Sequence, residues 1–117
     1  MNAIDVCGLT MAMNSSALTA AGAETVHDST VAMNFCINGK VYQKSGTNAD
    51  QATPTTDYNT GAAFTSLTAN QGCVMVWSYT SAGAVKVMQS NICTLDAAGN
   101  FVAAPEWPKI PDDVCPF

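Results

Sequence analysis

Residues 71–91, QGCVMVWSYTSAGAVKVMQSN, leave this chain few options. Cys73, Met75, Trp77 and Tyr79 alternate with Val74, Val76, Ser78 and Thr80. A period of two in β-branched and aromatic residues is the mark of a strand. Ser81-Ala82-Gly83-Ala84 follows, a short small-residue linker with the glycine that a hairpin turn needs. A two-residue loop at Ala82-Gly83 and a four-residue loop over 81–84 give one register. Thr80 then faces Val85, Ser78 faces Val87 and Trp77 faces Met88. That register puts Val74, Val76, Val85 and Val87 on one face and Cys73, Met75, Trp77 and Met88 on the other. Both faces are apolar, so the hairpin is expected to be central and covered on both sides. Each large side chain fully buried there contributes roughly 1.5–3 kcal/mol, and no other segment offers so many.

A second hairpin lies over residues 30–44. Val31, Met33, Phe35 and Ile37 alternate with Ala32, Asn34 and Cys36 before Asn38-Gly39. Asn-Gly is the strongest short-range signal for a type I′ turn, because both central residues need φ > 0. The turn sets Ile37 opposite Lys40, Cys36 opposite Val41 and Phe35 opposite Tyr42. A third hairpin spans 92–104, with Asp96 and Gly99 at the ends of a type I turn, Gly99 left-handed, and Phe101-Val102 beginning the return strand. Residues 45–59, SGTNADQATPTTDYN, read as a surface loop joining the first two hairpins. Phe64 and Leu67 suggest a short strand or turn that fastens it.

The ends of the chain read differently. Residues 1–14 form an extended arm, and 15–25 fit either a short helix capped by Ser15 or Ser16 or a Thr- and Ala-rich strand. Pro105, Pro108 and Pro111 recur every third residue around Trp107 and Ile110. Proline cannot donate to a ladder, so 105–117 is expected to be an extended, peripheral arm laid over the domain or a neighbour. The expected fold is mainly β: one small antiparallel β-sandwich or barrel built from consecutive hairpins, with extended N- and C-terminal arms. Its parts are an arm or short helix over 1–29, a hairpin core over 30–104 and a proline-rich arm over 105–117. A chain of 117 residues suits one such core.

Charge narrows the function classes. The net charge is −5, with four Lys and no Arg. Arg is the residue suited to bidentate phosphate and base contacts, so nucleic acid is not an expected partner. No run of about 20 mainly apolar residues suggests a membrane span. The N-terminus lacks the basic region of a signal peptide, so manufacture and use without secretion are expected.

Candidate chemistry is sparse. His27, the single histidine, sits in ETVHDST and reads as a surface or loop residue. Asp112-Asp113 reads as a solvated turn, and 96–100 lacks the alternating donors of a calcium loop. Cys7, Cys36, Cys73, Cys93 and Cys115 form no CxxC pattern and read mostly as buried free thiols, with one or two disulfides open in an oxidising setting. The PxxPxxP run lacks the flanking basic residues of a polyproline ligand, Lys109 apart. Trp77, Trp107, Tyr42, Tyr58 and Tyr79 offer rings for stacking on a sugar; Trp77 reads as core, leaving Trp107 and Tyr58 exposed. No catalytic, cofactor-binding or metal-ligating set emerges, and no enzyme is expected.

INGKVYQK, TPTTD, TGAAFTSLTANQGCVMVW, LDAAGNF and the PEWPKIPDD close carry a resemblance over residues 30–117. In turn spacing and composition they resemble small Ala/Thr/Asn-rich structural proteins of tailed bacteriophages, of the head decoration or cement type. The resemblance implies a β-rich virion component, assembled in the host cytoplasm, that binds the capsid surface in many copies. Its implied partners are the major capsid protein and copies of itself, with a trimer the expected oligomer. It carries over no catalytic residue, and the proteins it resembles continue past the CPF segment with another strand, whereas this sequence stops at Phe117. A receptor- or glycan-binding module of a tail fibre or secreted adhesin stays open as the alternative.

Overall fold

A computed structural model describes residues 9–14, 18–20 and 25–117. Among the described residues eleven strands run in the order β1 (Met11–Ala12), β2 (Leu18–Ala20), β3 (Val26–Ser29), β4 (Met33–Ile37), β5 (Lys40–Lys44), β6 (Asn48–Ala52), β7 (Gln71–Gly72), β8 (Met75–Thr80), β9 (Val85–Gln89), β10 (Cys93–Thr94) and β11 (Val114–Pro116). Every pairing is antiparallel, in four small sheets ordered β1-β4-β5, β11-β8-β9, β2-β3-β6 and β10-β7. Among the described residues there is no helix and no closed barrel. The mainly β, hairpin-built fold expected from the patterning is what forms.

The β4–β5 hairpin has the expected register: Ile37 pairs with Lys40, Cys36 with Val41 and Phe35 with Tyr42. Asn38 and Gly39 take φ of 49° and 79°, the pair of left-handed residues that a type I′ turn requires.

The β8–β9 hairpin is central, but its register is displaced by one residue from expectation. Trp77 pairs with Val87, Ser78 with Lys86 and Tyr79 with Val85. The turn is the cause. Gly83 N–H donates to Thr80 O at 2.9 Å, Thr80 N–H donates to Ala84 O at 2.9 Å, and Gly83 has φ 77°. This is a three-residue loop, a type I turn followed by a left-handed glycine. An odd loop moves the register by one and so exchanges partners between faces. Val76 therefore shares a face with Met88, and Trp77 and Tyr79 share the other with Val87 and Val85.

Each face of this ribbon carries its own core. On one, Tyr79 joins Met33, Phe35, Ile37 and Cys115, with Ala12, Tyr42, Val85 and Phe117 packed around them. The sheets β1-β4-β5 and β11-β8-β9 therefore meet face to face. Four rings cross that junction, Tyr42, Phe35, Tyr79 and Phe117, with successive centroids 5.9, 5.8 and 4.3 Å apart. On the other face Val76, Met88 and Val114 pack beneath Tyr58, Val74 and Ile110.

The close of the chain departs from a wholly peripheral arm. Residues 105–113 are irregular, but β11 pairs with β8 and buries Val114 and Cys115 completely. The loop expected over 45–59 contains β6, which pairs with β3. Its sequence, NADQA, has no strand propensity, and pairing in the sheet overrides it. The register shifts between His27 and Ser29, and there Asp28 Oδ1 accepts the Asp50 N–H at 2.7 Å. Of the readings for 15–25, Leu18–Ala20 is strand; Ser15 and Ser16 lie outside the described residues. Met11–Ala12 extends along β4, as an arm would. The third turn forms as expected, with Gly99 N–H on Asp96 O at 3.0 Å and φ 84°, but its return arm is a single bridge, Leu95 to Phe101.

Candidate functional site

Two surfaces stand out. The first is an apolar depression of about 740 Å³. Leu18, Met75, Trp77, Trp107, Pro116 and Phe117 are among the residues that line it. β8 and β11 supply its floor, because their pairing leaves Met75, Trp77, Pro116 and Phe117 along one stretch of sheet. The irregular proline segment brings Trp107 to its rim. Trp107 is 75% exposed and Met75 37%. Met11 and Met13, on the N-terminal arm, are exposed as well. An exposed ring of this size is held in water at a cost of roughly 25 cal/mol per Å² of apolar surface. Trp107 and the hollow beside it are the candidate contact surface.

The second is a cavity of about 430 Å³ between β3, β5, β6 and the β8–β9 turn. His27, Ser29, Lys44, Gln51 and Tyr79 are the side chains with polar atoms in its lining, and Ala52, Ala82, Ala84 and Val85 contribute small apolar walls. His27 is a buried strand residue rather than the surface or loop residue expected. Its ring meets Trp77 edge to face at 5.5 Å, and Nδ1 lies 3.4 Å from Thr53 Oγ1. Burial lowers its pKa; Asp28 opposes that shift and Lys44 reinforces it. The imidazole is therefore chiefly neutral at pH 7. Sequence alone gave no sign of this placement, because β6, which covers His27, carries no strand pattern.

The remaining candidates scatter. Asp113 stands in an exposed turn beside Asp112 and accepts the Tyr58 hydroxyl at 2.5 Å. That hydrogen bond raises the Tyr58 pKa and ties a half-buried Tyr58 to the fold. Of the two rings expected to be exposed, only Trp107 is free in that sense. Asp96 Oδ1 accepts the Ala98 and Asn100 N–H groups, each at 2.9 Å, which lowers its pKa and commits the carboxylate to the turn. Pro108 is buried, so the PxxPxxP run does not present a continuous ridge. Cys36 and Cys115 are buried free thiols, Cys73 and Cys93 are half-buried and free, and Cys7 lies outside the described residues. Burial chiefly, and then Cys36, pushes the Cys115 thiol pKa up. Among the described residues no three His, Cys, Asp or Glu side chains gather as a metal site would require.

No protein-family model, curated protein or solved structure matches this chain.

Proposed function

We propose that the protein is a virion structural protein of the capsid decoration or cement type. It seats the Trp107 depression on the major capsid protein and stabilises the head surface. The observation that carries this reading is Trp107, three-quarters exposed at the rim of an apolar hollow floored by Met75 and Trp77. Tryptophan is favoured among the few residues that dominate binding energy at protein interfaces. A low-charge surface with a permanent apolar hollow suits repeated docking on a lattice, and many weak contacts multiply there without any reacting group. The resemblance of residues 30–117 to phage head proteins points the same way. Copies of the chain, as a trimer, and the capsid protein are the partners; neither nucleic acid nor a membrane takes part.

The test is co-sedimentation of the protein with undecorated phage heads. Wild type binds at fixed stoichiometry, and Trp107→Ala binds at least about tenfold more weakly, the equivalent of 1.4 kcal/mol. Val102→Ala, which removes a 68% exposed side chain outside the depression, leaves binding unchanged. Equal binding by all three proteins would remove the basis of the proposal.

The exposed Trp107 ring also supports a second reading, a receptor- or glycan-binding module in which the indole stacks on a sugar face. Glycan-array binding lost on Trp107→Ala, with no binding to heads, would select it.

A further inference from the structure

We infer that the cavity between β3, β5, β6 and the β8–β9 turn is a binding site for a small organic carboxylate. The inference is independent of the capsid reading, because Trp107 and the apolar depression play no part in it.

Among the described residues Lys44 brings the sole formal charge to the cavity lining, and the Asp28 carboxylate acts on His27 from beside it on β3. Its position is set by packing. Gly83 is buried with φ 77°, and a Cβ there would lie 2.9 Å from Lys44 Cδ and 3.8 Å from Nζ. The Lys44 stem thus lies across the bare backbone of the turn, which fixes the ammonium at the cavity. Asp28, the nearest carboxylate along β3, accepts the Asp50 N–H on its Oδ1 at 2.7 Å.

The neutral donors complement that charge. Ser29 is 3% exposed and its Oγ accepts from Asn48 Nδ2 at 3.2 Å, which leaves the hydroxyl proton to donate. His27 is 6% exposed. With Nδ1 facing Thr53, Nε2 is the ring's remaining polar atom. When Thr53 donates to Nδ1, Nε2 carries the proton and is a donor. One ammonium, with the Ser29 hydroxyl, the His27 imidazole and the Gln51 amide beside it, suits the two acceptor oxygens of a monoanion. A dianion such as sulfate calls for more positive charge than this site holds. Ala52, Ala82, Ala84 and Val85 suit the carbon skeleton. About 430 Å³ falls in the size range of small-molecule pockets.

The full ¹⁵N-labelled chain is titrated with sodium glucuronate, with glucose as its neutral counterpart, and with sodium sulfate, all at constant ionic strength. Glucuronate is expected to give saturable shifts at the Gly83, Ala84 and Lys44 amides, glucose none, and sulfate weaker ones. Lys44→Met keeps the stem over Gly83 and removes the charge, so glucuronate affinity falls by at least about tenfold. Should Lys44→Met disturb amides across the fold, Ser29→Ala takes its place and lowers affinity by at least about threefold. No saturable shift with glucuronate, equal binding of glucose or sulfate, or unchanged affinity in the folded variant would each overturn the inference.

Discussion

Replacing Phe35 by alanine probes the junction between the two facing sheets. Phe35 is fully buried and stacks between Tyr42 at 5.9 Å and Tyr79 at 5.8 Å. Truncating a buried phenylalanine to alanine costs about 3–5 kcal/mol through lost transfer free energy and the cavity left behind. The ring stacking adds about 0.5–1.5 kcal/mol per pair. Total stability for a domain of this kind is about 5–15 kcal/mol, so the loss is a large share of it. Urea unfolding monitored by tryptophan fluorescence should show the midpoint falling with little change in slope. The thermal midpoint should drop by about 10–20 °C. Phe101→Ala, at a side chain 40% exposed, should cost less than half as much. A double-mutant cycle with Tyr42→Ala should show coupling of at least about 0.5 kcal/mol, because the two rings share a face. A Phe35→Ala loss below about 1 kcal/mol would refute the two-sheet core.

The remaining predictions concern the turns, the histidine and the thiols. Gly83→Ala should cost at least about 1–2 kcal/mol for the left-handed backbone. Gly99→Ala should cost less, since Gly99 has open space about its Cβ position whereas at Gly83 the Lys44 stem must also move; chemical denaturation compares the two. The folded pKa of His27 lies below its ordinary value, so the unfolded chain takes the proton first. Stability should therefore fall as pH drops below about 6.5 and level off beneath the folded pKa, and His27→Gln should flatten that segment of the pH–stability curve. Maleimide labelling with peptide mapping at pH 7.5 should modify Cys73 and Cys93 well before Cys36 and Cys115, whose thiols are buried.

Much of the fold was legible where chemistry is local. Asn38-Gly39 set both the turn and the pairing of β4 with β5, because φ > 0 at two successive residues leaves one hairpin geometry. The two- and four-residue loops expected at Ser81-Ala82-Gly83-Ala84 are both even, and the hydrogen bonds of Gly83 and Thr80 make the loop three residues instead. Faces of β8 and β9 that looked sorted in the sequence were consequently exchanged. β6 was illegible because its pairing with β3 supplies what NADQA lacks. β11 was illegible because three prolines dominate the stretch before it, while its burial depends on β8. The exposure of Trp107 was legible from the proline spacing. The hollow beside it was not, since Met75, Trp77 and Phe117 meet there only through the pairing of β8 with β11. The cavity of His27 and Lys44 was not legible either, since residues 82–85, far along the chain, close it.

Mass spectrometry of purified virions from cells that make this chain decides whether it is a virion component. The protein is expected in the particles at a fixed ratio to the major capsid protein, retained through density-gradient purification and lost when Trp107 is replaced by alanine. Particles that are complete and stable yet contain none of it would contradict the account.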